Sequence, residues 1–243
     1  MIVLGINYKC VIVDCNAPKS LFNYLDINDI SYIKSCRIDN TIDAVSTHPD
    51  MQICWIGKND YICEPSTYEY YKKELCEFNV NLIKGKKYIK STYPDDVAYN
   101  VVITEDLLFH NLKCTDSFIL DRFENTSVSI YNVKQGYTKC ATCIISDNAF
   151  ITSDLGIYKK LHSYNVDCLL VEKDIIKLGN RVDGFIGGCC GKISRNKLLF
   201  CGDISSHKSY NKIVEFALQY GVEIIASSNE QLTDVGSIIP VIE

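Results

Sequence analysis

The chain has no run approaching the roughly 18 consecutive apolar residues that a membrane-crossing helix requires. Its first stretch, MIVLGINYKCVIVD, lacks both the charged start and the length of a secretory signal. These absences lead us to expect a cytoplasmic protein with no membrane partner. Clustered positive charge is missing too, with 25 Lys and Arg set against 30 Asp and Glu for a net charge of −5. Nucleic-acid binding draws on grouped Lys and Arg that displace counterions from phosphates, so no nucleic-acid partner is expected. The single basic run, KGKKYIK (Lys84 to Lys90), reads as a solvated loop beside a strand. Scarce Pro and Trp beside abundant Lys, Asn, Ile and Tyr fit an AT-rich bacterial genome and decide nothing about function.

Cysteine, by contrast, is plentiful. Thirteen residues, an odd number scattered singly or in pairs along a chain too long to need disulfide staples, read as reduced thiols. Most are expected to serve as small buried hydrophobes. A length of 243 residues suits one closed α/β domain with a substantial core.

The chain repeats itself. Four stretches, beginning at Met51, Asn100, Ala141 and Cys189, each give an apolar strand, a short polar turn, a second apolar strand, a helix-like segment and a further strand. Their turns, GKND, TED, SDN and SRNK, are flanked by β-branched or aromatic residues as hairpins require. The N-terminus supplies a fifth copy with its turn at Gly5 to Tyr8, so the turns recur at roughly 42 to 52 residues. Small polar groups mark the helix entries in NAPKS, EPSTYEYY, CTDSF, TSDLG and SSHKSYN. Each unit is therefore ββαβ, with approximate spans 1–45, 46–95, 96–136, 137–180 and 181–243. Five such units bury their strands only against one another, which predicts an α/β class fold closed as a ring with the helices outside. The tail TDVGSIIPVIE reads as one more strand, pairing back on the first unit to shut the ring.

A ring of five pseudo-symmetric ββαβ units on one chain of this length resembles the pentein fold, a five-bladed α/β propeller. That fold is shared by guanidino-group-modifying enzymes such as arginine deiminase and dimethylarginine dimethylaminohydrolase, and by a non-enzymatic translation factor that binds the large ribosomal subunit. The motifs VSTHPDMQI, FHNLK, KQGYTKC, ITSD and GFIGG are also similar to those of an uncharacterised, mainly clostridial group assigned to this fold. Fold alone does not fix chemistry.

In such a ring the first strand of every unit lines the axis, so residues at the strand starts converge. These are His48 and Asp50, Asn100, Tyr137, Lys139 and Cys140, Gly187 to Cys190, and Gly236 and Ser237. The resemblance implies a nucleophilic cysteine on the closing strand, a histidine opening the fourth unit, and carboxylates at the start of the second unit to hold a guanidinium by paired hydrogen bonds. Asp50 matches the carboxylate. Asn100 stands where an acidic residue is frequent. Ser237 falls where the nucleophile belongs and Tyr137 where the histidine belongs, so the usual Cys/His pair is absent. A substitute set is Cys140 as nucleophile, activated by the neighbouring Lys139, with His48 as base and Asp50 nearby.

GFIGGCCGK (Gly184 to Lys192) feeds a hairpin rather than a helix, which argues against a phosphate cradle. Its glycines let backbone approach closely at the mouth of the ring, with one of Cys189 and Cys190 lining the pocket and the other buried. Residues i and i+3 of a strand, like neighbours, face opposite ways, so neither CATC nor the Cys189–Cys190 pair chelates an ion while extended. We therefore expect no metal and no cofactor. His110, His162 and His207 read as surface or capping residues. The expected ligand set is Asn100, Tyr137, Lys139, Gly187, Gly188, Cys189 and Ser237 around a small guanidino, amidino or amide compound. Two functions stay open: a hydrolase or transferase with non-standard residues, and a non-catalytic protein that binds a metabolite or a macromolecular partner.

Overall fold

The computed structural model describes Tyr8, residues 10–39 and residues 41–242. Five runs of apolar sequence form the middle strands of five three-stranded sheets: β1 (Cys10–Val13), β4 (Asp60–Cys63), β7 (Leu107–His110), β10 (Ala149–Thr152) and β13 (Lys197–Phe200). These strands are almost wholly buried because both of their faces are covered, which explains why their sequences run apolar without alternation. On one side each pairs antiparallel with a first strand: β3 (Ile53–Trp55), β6 (Val102–Ile103), β9 (Thr142–Ser146) and β12 (Cys190–Ser194) in the second to fifth units. On the other side each pairs parallel with a last strand: β2 (Ser31–Lys34), β5 (Asn81–Lys84), β8 (Ser129–Asn132), β11 (Asp167–Leu170) and β14 (Glu223–Ala226).

A parallel partner requires a crossover. The helices supply it: α1 (Lys19–Ile27), α3 (Tyr68–Glu74), α4 (Ser117–Phe123), α5 (Leu155–His162) and α6 (Tyr210–Gln219). A further single turn, α2 (Pro49–Gln52), leads into β3. Four of the crossover helices bury an i, i+4 pair: Leu21 with Leu25, Ile119 with Phe123, Ile157 with Leu161, and Ile213 with Ala217. That narrow stripe is what a helix laid on the outside of a sheet needs. Asp116 and Asp154 cap α4 and α5 by accepting from the Phe118 and Ile157 amides, as CTDSF and TSDLG predict.

The expected closure is present. β15 (Ile239–Val241) pairs antiparallel with β1, Cys10 opposite Val241 and Ile12 opposite Ile239. The tail therefore serves as the first strand of unit one, while the predicted N-terminal strand and its turn lie, Tyr8 apart, outside the described residues. The α/β propeller of five ββαβ units read from the repeat is the architecture observed. Among the described residues no helix is long and apolar enough to cross a membrane.

The core is divided among the joints between units. Residues of the middle strands alternate: Cys10 and Ile12 pack toward unit two, whereas Val11 and Val13 pack toward unit five. Leu108 turns to unit two and Phe109 to unit four, where it meets Phe150 edge-on with ring centroids 5.2 Å apart. Leu198 and Phe200 face unit four, and Leu199 faces unit one. Period-two geometry thus gives every unit one half of two neighbouring cores.

Candidate functional site

The first strands of all five units line one cavity of about 470 Å³, with Ile53, Val101, Ile145, Gly191 and Ile239 among its walls. Asp50 and Lys139 face this cavity at the strand starts, whereas Glu105, Asp147 and Arg195 face it from the hairpin turns. Its volume lies within the range of small-molecule pockets.

The strand starts themselves are tied into a circuit of hydrogen bonds that passes once through every unit. The Asp50 amide donates to Gly236 O at 3.1 Å, the Lys139 amide to Asn100 O at 3.1 Å, the Gly188 amide to Cys140 O at 2.7 Å, and the Ser237 amide to Gly188 O at 2.9 Å. The Asn100 side-chain amide completes it by reaching Asp50 O at 3.5 Å. Glycine is required where these backbones meet: a Cβ on Gly188 would stand 2.0 Å from Asp234 Oδ1, and one on Gly187 about 2.4 Å from the Thr142 carbonyl oxygen. Gly236 and Ser237 both have left-handed backbone, at φ 64° and 67°. For serine this is a strained state, of the kind that surrounding structure must hold in place.

Inside the circuit sits a buried polar cluster. Cys140 Sγ donates to Asp50 Oδ2 at 2.9 Å, and Ser237 Oγ donates to the same oxygen at 2.8 Å. Asn100 Nδ2 donates to Cys140 Sγ at 3.1 Å, while Asn100 Oδ1 accepts from the Lys139 and Cys140 amides at 2.8 and 3.2 Å. An aspartate here could accept from the amides but could not donate to the sulfur, which is a reason for asparagine. His48 is the N-cap residue of α2, ahead of Pro49, and its ring lies between two carboxylates. Nε2 is 3.8 Å from Asp14 Oδ2 and Nδ1 is 3.9 Å from Asp234 Oδ1. Asp234 is fixed in turn by the Phe185 and Gly236 amides, at 2.8 and 3.0 Å. Burial raises its carboxyl above the usual range, opposed by His48 and the Phe185 amide. His48 Nδ1 and Asp50 Oδ1 are buried without a hydrogen-bond partner among the described residues.

Thus Cys140, His48, Asp50, Asn100, Ser237 and the Gly187–Gly188 backbone come together as the strand-start reasoning expects. Other expectations are corrected. Lys139 does not lower the Cys140 thiol: burial, then the charges of Asp50 and Asp234, push it well above the ordinary value. Lys139 lines the cavity and Cys140 does not; the Lys139 charge is felt instead at Cys54 and Cys143, where it only partly opposes the burial that pushes both thiols up. Cys190, not Cys189, faces the cavity, because Cys189 ends a short 3₁₀ turn (Gly187–Cys189) and packs in the core with its thiol on Phe185 O. Tyr137 stands outside the cluster, its hydroxyl donating to Asp96 and its ring between Tyr93 and Phe185.

Asp14 and Asp234 are the site residues that sequence reasoning missed. Their signals are faint: Asp14 is an acid directly after the apolar run CVIV, and Asp234 stands two residues before Gly236.

His110 is also not the surface or capping residue expected. It is fully buried, Nδ1 bonded to Thr115 Oγ1 and Nε2 to Gly136 O, both at 2.7 Å, and so anchors the loop that leads to Cys140. His207 does cap, accepting the Ser209 amide at 3.0 Å. Burial lowers His110 from 6.5 to about 4. Above pH 6.5 neither folded nor unfolded chain holds this proton. Below it the unfolded chain binds a proton that the folded one refuses, so stability falls as pH drops from 6.5 to about 4, by up to about 1.4 kcal/mol per unit. Urea unfolding across that window should show the loss, and His110→Gln should flatten it while lowering stability at pH 7.

Five ββαβ units closed around a common axis give the chain the pentein fold. The chain belongs to DUF6873, a family of unknown function that matches residues 12–239. Among solved structures it is similar to an amidinotransferase of the saxitoxin biosynthetic pathway from Microseira wollei, at 10% identity and a TM-score of 0.58, covering 97% of this chain and 94% of that one. DDAH from Pseudomonas aeruginosa gives 9% identity, TM-score 0.56 and coverage of 92% and 93%. The inosamine-phosphate amidinotransferase of Streptomyces griseus gives 10%, 0.58, 98% and 96%. At these identities the likeness concerns the fold. No curated protein sequence matches the chain.

Proposed function

We propose that this protein is a cytoplasmic bacterial enzyme acting on a small guanidino, amidino or amide compound, with Cys140 rather than a residue of the closing strand as nucleophile. The observation that supports this is the convergence of Cys140, Asp50 and His48: the thiol bonds to Asp50 at 2.9 Å, and a His48 ring nitrogen lies within 4.8 Å of the sulfur. Asp14, on the far side of the ring, is the orienting third member that such a nucleophile and base require. Asp50 would hold the planar cation by charge-assisted hydrogen bonds, and Lys139 would meet an acidic group on the same compound. The similar structures carry names of guanidino-modifying activities, amidinotransferase and DDAH, which favours that substrate class.

A second reading, a non-catalytic protein of this fold, draws on a separate observation: Cys140 is only 2% exposed and does not line the cavity, although Asp50 and Lys139 do. One experiment separates the two. The chain is incubated with arginine, methylated arginines and agmatine, and intact mass and ureido product are followed. A covalent adduct on Cys140 that disappears in Cys140→Ala and persists in Ser237→Ala supports the enzyme. Binding by calorimetry with neither adduct nor product would leave the non-catalytic protein.

A further inference from the structure

We infer that His48, Cys140 and Asp234 form a binding site for a divalent transition-metal ion of the zinc type. One nitrogen of His48, Cys140 Sγ and a carboxylate oxygen of Asp234 all lie within 4.8 Å of one another. A tetrahedral ion with bonds of 2.0–2.3 Å sets its ligands roughly 3.3 to 3.6 Å apart. The His48 Nδ1 to Asp234 Oδ1 separation is 3.9 Å and no separation among the three exceeds 4.8 Å, so an ion would have to draw them together by on the order of one ångström.

Three independent features point to an ion rather than to a chance cluster. His48 Nδ1 is buried in a ring only 2% exposed, faces Asp234 and has no hydrogen-bond partner, a costly state that coordination would end. The other ring nitrogen faces the Asp14 carboxylate at 3.8 Å, so a shift of less than an ångström would give a metal-bound His48 the outer hydrogen bond that fixes its tautomer. Asp50 adds a second unpartnered buried atom, its Oδ1, on the residue that accepts from Cys140, and can fill the fourth position directly or through water.

The donor set also selects the metal. Nitrogen, sulfur and oxygen in one small shell suit zinc, whereas magnesium and calcium take oxygen ligands in larger number. On binding, the sulfur–metal bond replaces the thiol's bond to hydrogen and the proton leaves to solvent. A guanidinium is too large for the gap between these three atoms, so the inner site and the cavity-facing side of Asp50 would take different occupants. The inference therefore goes beyond the enzymatic reading and does not depend on it. An ion on Cys140 would withdraw the sulfur from any attack, so a metal-loaded chain would be silent until chelated.

The test needs no substrate. Chelator-stripped full-length chain is titrated with cobalt and zinc, and the thiolate-to-cobalt charge-transfer band, bound zinc per chain, and alkylation of each cysteine by peptide mass spectrometry are read. One equivalent of zinc should bind, cobalt should give the thiolate band, and zinc should protect Cys140 selectively among the thirteen cysteines. Cys140→Ser and His48→Ala should each weaken zinc at least 100-fold, and Asp14→Asn, through orientation alone, roughly 10- to 100-fold. Circular dichroism of each variant verifies its fold. Should a variant unfold, protection of Cys140 in the unaltered chain decides alone. Absence of the cobalt band with no protection of Cys140, or zinc affinity indifferent to both substitutions, would overturn the site.

Discussion

Gly191→Ala should cost the protein its fold or at least about 3 kcal/mol of stability. A Cβ at this position would stand 1.7 Å from Ile238 O and 2.6 Å from the carbonyl carbon of the same residue. Those are backbone atoms, and they cannot swing away as a side chain can. The Ile238 amide donates to Cys190 O at 3.1 Å, so β12 and the closing segment are locked together where the clash would fall. The damage therefore concentrates on the step that shuts the ring. Gly156→Ala in α5 is the control, since its nearest neighbour would be a side-chain oxygen of Asp154 at 3.1 Å and alanine favours a helix. Gly191→Ala should melt far below Gly156→Ala, whose small effect is the helix gain set against a slight displacement of the Asp154 cap, and equal, small shifts would show that the closing segment yields.

The second large effect concerns binding. On the proposed guanidino substrate class, Asp50→Asn should keep the fold and reduce affinity for arginine or agmatine at least 100-fold. Asparagine's carbonyl can take the place of Oδ2, accepting from Cys140 and Ser237 as the carboxylate does. Its amino group then falls where Oδ1 now lies buried without a partner. The bonds from Cys140 and Ser237 are conserved while the negative charge is lost, and losing one partner of a buried charge pair costs about 2 to 5 kcal/mol. Asp50→Ala is the harsher companion: it strands the thiol and the hydroxyl as unsatisfied donors and should lower the melting temperature as well. Calorimetric titration with both compounds reads the affinity. Undiminished binding to Asp50→Asn would remove Asp50 as the cation anchor.

Much of this was legible beforehand because topology does the work. Continuous apolar runs such as CVIV and LLFH can be buried on both faces only in the middle of a covered sheet, and the turns between them mark the units. Once the ring is inferred, every strand start must approach the axis, which is why Asp50, Asn100, Cys140 and Ser237 were found together. Asp14 and Asp234 were not legible in the same way. Each acquires its meaning from His48, a residue of another segment, and within its own segment each looks like an ordinary turn acid. The error at Lys139 has a similar origin. Adjacency in sequence is not electrostatic adjacency, because a turn sends consecutive side chains in different directions. With Cys189 and Cys190 the period-two rule correctly required that only one face the cavity, but the choice rested on where β12 begins, a boundary that a 3₁₀ turn shifts by one residue.

The alternation along the middle strands has a further consequence. Because Val11 and Val13 belong to one joint and Cys10 and Ile12 to the next, no unit owns a core, and none has a reason to hold its shape in isolation. Opening any one joint exposes half of the apolar surface of two units at once. Partial unfolding is therefore penalised nearly as heavily as complete unfolding, and the chain should melt as a single two-state body despite being built of five repeated pieces. Open-ended repeat arrays can fray from a terminal unit. Here β15 is paired to β1, so among the described residues neither the first nor the last strand offers a free edge from which fraying could start.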